Sequence, residues 1–492
     1  MVSFGLVLIQ VPLLLHYWGA AIFGAWNALF SFYSLLITLD TGHQSYLGSI
    51  FMQTFHGKRE NLRDELASGI RIAFVLGGIQ LLLCLTIAGF GLARLLIGAD
   101  VNTLSSVELV GSLTALVIQW IVAGSIGGIL VKIFSAGGYY TRAAVWGIGY
   151  RIVFTVALCT GAALSERILP AAIAVGVSIT LYTLLPVLDL RRIFPEIFPW
   201  WEGGSWKRGW RNLRLSAWLT VSGFIQQFSG NGLILVVTHL LNTVAVSILT
   251  TLRTLSNTAT QATLIVVQPV LPDLIKYHVA GDGMKVQHTL AGLWFVSGLV
   301  INIGLAVALA VAPWFYGHWT RGLLPFDAGL FAFLVLGVQI RNIASPLLHY
   351  LLGLNDLEAQ MKIAIGQTLA TLMVCALLSG PLGVRAAGAG IVAGEVVGAL
   401  LAYRAVAGTL KLIRVAMSAG MLLFPLWGLV LMAAGYTANL WLTDYACSIA
   451  GLLLAAVLLL AWWQWVGLPV GVRERILRLV PRCLIPNRNS VS

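Results

Sequence analysis

Charge is what this sequence has least of. Asp, Glu, Lys and Arg make up 10% of its 492 residues, where soluble globular domains carry about 25%. So few charges cannot coat a water-soluble fold of this size, which leaves an integral membrane chain. Cysteine is sparse as well. The five residues, Cys84, Cys159, Cys375, Cys447 and Cys483, show no CxxC spacing and four lie in apolar runs. They read as free thiols rather than disulfides or metal ligands. Long polar stretches are missing, so no soluble domain is expected. The first segment, VSFGLVLIQVPLLLHYW, has neither a basic n-region nor a small-residue cleavage site and reads as a retained helix. DxD, HExxH and supported nucleophile motifs are absent and every outer loop is short. The expectation is therefore not an enzyme, with no cofactor and no metal.

What the chain has is apolar length. About 20 apolar residues cross a bilayer as a helix. Fourteen such runs are predicted, at 2–18, 21–54, 67–97, 105–134, 143–164, 168–188, 214–240, 244–275, 288–316, 325–354, 360–380, 386–407, 413–435 and 440–467. With the N-terminus inside, 22 of the 30 Lys and Arg fall on the inner side, and four (Arg94, Arg167, Arg321 and Arg385) on the outer. That asymmetry supports both the count and cytoplasmic termini. The net charge of +12 then belongs to inner loops beside anionic lipid, not to a nucleic-acid site.

The longest basic connection follows the sixth span. It divides the chain into a six-helix bundle at 1–188, a basic cytoplasmic connection at 189–213, a second six-helix bundle at 214–407, an extra helix pair at 408–467 and a basic tail at 468–492. Residues 16–61 and 239–285 share a pattern: a short outer turn, one long polar-spotted helix and a Gly-containing charged inner turn. SAGGYYTRAAVWGIGYR (135–151) likewise parallels LLGLNDLEAQMKIAIGQ (351–367). Six spans per half make a parallel repeat, two bundles related by a pseudo-twofold along the membrane normal. The seventh span carries a lead, LRLSAWLTVSGF, that the first span lacks, so either the first helix is short or Met1 is an internal start.

Deep charges stand out against this background. Arg151, Arg253, Arg341, Asp40 and Glu395 lie well inside spans, where a charge faces a cavity or a partner. Arg71 lies one turn in and either joins them or snorkels to the interface. Tyr33, Asp40, His43 and Gln44 form one helical stripe; Arg253, Asn257, Thr260 and Gln261 form another on the repeat partner. Gln226 and Asn231 add polarity to the seventh span. Such residues serve either as packing glue or as the lining of a water-filled lumen, and the paired stripes favour the lumen. Three deep arginines against two acids make it cationic, suited to phosphate, which arginine grips through two parallel hydrogen bonds. Arg151 and Arg341 could instead pair with Asp40 or Glu395. Asp40 and Glu395 are the candidates for ion coupling or counter-charge; for Asp40 the counter-charge to an arginine is slightly favoured over the proton site. The glycines of GSIGG (124–128) and GAGIVAGEVVG (388–398) read as close helix packing, and Pro269 and Pro272 as the end or kink of the eighth span.

The turn Trp18-Gly19 with Phe23-Gly24-Ala25-Trp26, the run Leu35 to Gly42 and the basic turn HGKREN resemble the opening of Wzx-like O-antigen and exopolysaccharide flippases, the polysaccharide transporter family of the MATE-containing MOP superfamily. GLNDLEAQMK in the second half extends the likeness over roughly residues 1–410. The resemblance implies two six-helix bundles around a cationic cavity and alternating access coupled to an ion gradient. The implied cargo is a polyprenyl-pyrophosphate-linked oligosaccharide crossing the inner membrane, with membrane lipids, a polysaccharide polymerase and assembly proteins as candidate partners. The final helix pair departs from many members. A MATE-type small-molecule antiporter is the rival reading, opposed by the cationic cavity; a membrane glycosyltransferase, polymerase or ligase is a weaker one.

Overall fold

The computed structural model describes residues 2–57, 59–90, 105–267, 270–354, 356–412, 419–468 and 470–473. Lys58, Arg94, Pro269, Arg414, Cys483 and nearly all of the basic tail lie outside them. Among the described residues no strand occurs and all long elements are helices, the form in which a chain satisfies its backbone within lipid.

In chain order these are α1 (Val2–His56), α2 (Leu62–Gly89), α3 (Ser106–Ala136), α4 (Tyr140–Leu164) and α5 (Ile168–Ile193). Then come α6 (206–240), α7 (Thr243–Val267), α8 (Leu271–Val279), α9 (Gly283–Trp319) and α10 (Ala328–Gly353). The last four are α11 (Leu357–Leu382), α12 (Arg385–Leu412), α13 (Leu423–Trp441) and α14 (Ala446–Gly467). Their starts follow capping chemistry. Ser105, Ser205, Asn242, Asp327 and Asp356 each accept a backbone N–H three residues on, at 2.7–3.2 Å, satisfying donors that a helix N-terminus leaves open.

The breaks between predicted spans have local causes. Spans one and two are two helices that meet at a kink inside α1, where Gly19 takes φ 67°, ψ −179° and no loop intervenes. Glycine enters that region without the steric penalty of a Cβ. Span eight divides into α7 and α8, and Pro272, one of the two prolines expected to end or kink it, stands in the first turn of α8, where a missing N–H costs nothing. Among the described residues, eleven helices are long and apolar enough to cross a membrane by length and composition. α6 and α7 are not among them, since their sequences carry the polar runs WKRGWRNLR and LRTLSNTATQ.

The chain separates into two compact units. The first holds residues 1–250 and 319–324, and the second holds 251–318 and 325–492. Within the first, α1 packs on α2, α3, α4 and α6. One end is sealed by Leu47, Phe51, Leu66, Ile129, Ile133, Phe134 and Leu190, all buried. The middle of α1 meets α6 backbone to backbone: a Cβ at Gly42 would lie 2.4 Å from the Thr220 nitrogen. The GSIGG glycines pack closely too, Gly124 beneath the Trp120 ring and Gly127 against Thr183.

Within the second unit, Trp294, Leu347, Tyr350, Ala402 and Val406 form the core of α9, α10 and α12. α12 lies flush on α11, with Gly390 and Gly394 against Thr371. The final pair docks through α13. Phe424 meets Phe295 at 5.1 Å between ring centroids, and the Tyr436 hydroxyl donates to the Leu305 carbonyl at 2.8 Å. α14 leaves Leu452, Leu458, Leu459, Trp462 and Trp463 uncovered by protein, a surface for lipid.

Gly42→Val tests the α1–α6 contact. Overpacking of this kind costs about 1–3 kcal/mol, so the variant should melt lower in detergent. Gly147→Ala, in open space on α4, should leave the melting temperature unchanged.

Candidate substrate and coupling site

The basic connection is fastened to the start of α2. Arg59 pairs with Glu196, and Arg63 pairs with Glu202 while donating to the Pro199 carbonyl. Asp64 accepts the Gly204 N–H at 2.8 Å, and the Ser68 hydroxyl accepts the Ser205 N–H at 2.9 Å. Arg71 closes the strap: Nη1 and Nη2 donate to the carbonyls of Gly204 and Gly203 at 3.0 and 2.7 Å. Next to it, buried Glu65 accepts from Asn212 on α6 at 2.8 Å. Arg71 was a candidate phosphate ligand in the sequence. The fold instead commits its guanidinium to two loop carbonyls.

The stripe on α1 is buried inside the first unit. Tyr33, Asp40, His43 and Gln44 are covered by α3 and α6. Tyr33 donates to Gln119 at 3.4 Å, and Gln119 donates on to Tyr150 at 3.5 Å. Gln44 Nε2 donates to Asp40 Oδ2 at 2.7 Å and to the Gly124 carbonyl at 3.1 Å. His43 Nδ1 lies 3.4 Å from Ser216 Oγ on α6, and the Ser216 hydroxyl donates to the Leu213 carbonyl at 2.8 Å. Gly124 belongs to a π-helical turn, Trp120–Ile126, which propensity does not forecast. Such turns recur at functional sites.

Asp40 therefore takes no arginine. Among the described residues it forms no ion pair, so the favoured counter-charge role is not what the fold provides. The physical reason is position: α3 and α6 cover this face of α1, and they present neutral groups there. Ser125 and Trp120 stand beside the carboxyl but short of hydrogen-bond geometry. Asp40 Oδ1, Ser125 Oγ and Trp120 Nε1 are all buried without a partner. This is a neutral, donor-rich recess around one acid at mid-helix.

In the second unit two of the three deep arginines come together. Arg341 Nε on α10 lies 3.2 Å from Glu395 Oε1 on α12. Arg253 on α7 is within electrostatic range of both. Gln367 on α11 stands at the Glu395 carboxyl. Glu395 is buried and the Arg341 side chain is 44% exposed, so this cluster opens outward from the acid. Arg151 stands in the first unit, exposed on α4. Gln226 and Gln261 are exposed, and Asn231 and Asn257 half-buried. Gln226 donates to Ser222 and Asn231 to Gln227, each at 3.4 Å within α6.

The strap is directly testable. Arg71→Ala removes two charge-assisted bonds, each of a kind that contributes about 1.5–3 kcal/mol. Limited proteolysis should cut the 195–205 connection at least about tenfold faster, a factor equivalent to about 1.4 kcal/mol, while the helical core stays resistant.

No protein-family model and no curated protein matches the chain. Solved structures do. Lipid II flippase MurJ in an inward closed conformation superposes with a TM-score of 0.65 at 13% identity, over 92% of this chain and 96% of that one. The inward-facing conformation of a multidrug resistance MATE family transporter of the MOP superfamily gives 0.62 at 14%, over 84% and 95%. The eukaryotic MATE transporter AtDTX14 gives 0.52 at 17%, over 84% and 95%. The chain thus has the two-lobed helical fold of MATE transporters and MurJ.

Proposed function

We propose that this chain is a flippase of the cell inner membrane, both termini cytoplasmic, that moves a glycan carried on a polyprenyl diphosphate from the inner to the outer leaflet. A polysaccharide polymerase and assembly proteins would receive the cargo. The observation that carries this reading is the pairing of Arg253 and Arg341 around a single acid in the second unit. Guanidinium forks match phosphate oxygens, and in hydrocarbon they are retained only where they have work. A cation exporter needs the opposite balance, acids in excess.

The final helix pair supports the lipid-linked cargo. The part of the chain left unmatched by MurJ is shorter than that pair. Between α9, α13 and α14 lies a recess of about 480 Å³, lined by Ala291, Leu423, Trp463, Val466, Leu468 and Val472 together with Gln287, His288 and Gln464. Its mainly apolar wall suits part of a prenyl tail, while the arginines suit the diphosphate. Asp40, buried without a cation, is the coupling residue of this reading: it takes and releases the driving proton as the first unit rearranges.

Two measurements test the proposal. Arg253→Ala and Arg341→Ala, each in full-length protein in nanodiscs, should weaken binding of a prenyl diphosphate by at least about tenfold, or 1.4 kcal/mol. Unchanged affinity in both contradicts it. Asp40→Asn keeps the shape of the recess and removes the proton carrier, so transport should lose its dependence on pH while binding persists. Transport by that variant with the pH profile of the parent removes Asp40 from the mechanism.

A further inference from the structure

The acid between the arginines has no role in phosphate binding as such. A carboxylate there competes with the substrate for the same donors. Yet it is built in with care. Gly394 and Gly398 flank it, and a Cβ at Gly394 would lie 2.0 Å from Thr371 Oγ1 while one at Gly398 would lie 3.3 Å from Gln367 Oε1. These glycines let α12 settle on α11, which buries Glu395 and brings Gln367 against it.

We propose that Glu395 is an internal stand-in for the substrate's phosphate, which holds the Arg253–Arg341 pair when no substrate is bound and yields it by taking up a proton when a diphosphate arrives. Substrate binding and proton uptake then become one event. The inference rests on the diphosphate reading above and adds to it a coupling mechanism in the second unit.

The geometry fits exchange better than a fixed structural pair. Arg341 meets the carboxylate through Nε, and its side chain remains 44% exposed. Among the described residues the charged or titratable groups that face Glu395 are Arg341 from α10 and Arg253 from α7, while α11 contributes the neutral Gln367.

Bringing a diphosphate to the arginines with Glu395 still ionised would set like charges together where water cannot screen them. One proton added to the carboxylate gives the neutral acid, and no other atom or electron moves. On release, the proton leaves as phosphate departs, and the carboxylate returns to Arg341. One proton therefore travels with each cargo from the inner to the outer side, so an outward-directed proton gradient favours this step and an inward-directed one opposes it.

The experiment is calorimetric titration of a soluble prenyl diphosphate into the full-length protein in nanodiscs at pH 7, in buffers of differing ionisation heat. The dependence of the heat on buffer reads protons bound per ligand, the quantity that linkage makes pH-dependent. Wild-type protein should take up about one proton more per ligand than Glu395→Gln. Glu395→Gln, which mimics the neutral acid, should bind at least as tightly as wild type. Wild-type binding with no buffer dependence overturns the proposal, even if the variant cannot be prepared. Equal proton uptake by the two proteins overturns it as well. Failure of wild type to bind any diphosphate is a separate outcome, which overturns the diphosphate reading and the inference with it.

Discussion

Hydrocarbon offers no hydrogen-bond partner, and every polar group this chain carries into the membrane must find one inside the protein. The small hydroxyls meet that demand locally. Ser31, Thr38, Thr183 and Thr238 each donate to the carbonyl four residues back, at 2.7–2.8 Å. The larger groups meet it across helices, Gln44 with the π turn of α3, Glu65 with Asn212 and Gln339 with Asn302. At Asp40 the demand is only partly met, since Oδ1 is buried without a partner, and around Arg341 it is met by an ion pair with a buried acid. Those are the places where a proton or an anion can change the balance.

The two units answer the same constraint differently. In the first, the α1 stripe is covered by neutral neighbours, leaving one acid without a cation. In the second, Arg341 pairs with a buried acid, Glu395, and Arg253 stands within electrostatic range of both. For the charged-lipid cargo proposed above, each arrangement has a use: a group that changes charge with the driving ion, and a group that holds the cargo's charge.

Much of the architecture was legible because it follows from apolar length and glycine. Gly19, at the turn expected between spans one and two, is where α1 bends, and Gly390, Gly394 and Gly398 lie flush on α11 while Gly388 meets α10. The deep charges were also visible as exceptions in apolar runs. What remained hidden depends on long-range placement. Arg71 is held by carbonyls more than 130 residues further along the chain, a contact that no local pattern marks. The π turns of α3 and α6 arise from packing, not propensity. Asp40 could be seen to need a partner, but only the covering faces of α3 and α6 reveal that the partners are neutral.

The central claim is that the chain carries a diphosphate-linked lipid across the membrane on its arginines. Its most direct test is translocation in sealed proteoliposomes, reading the arrival at the far leaflet of a prenyl-diphosphate oligosaccharide marked for an impermeant lectin. The account predicts arrival in a pH gradient with the parent protein, and its loss when Arg253 and Arg341 are replaced together in protein that reconstitutes normally. Undiminished arrival with both arginines gone would contradict it.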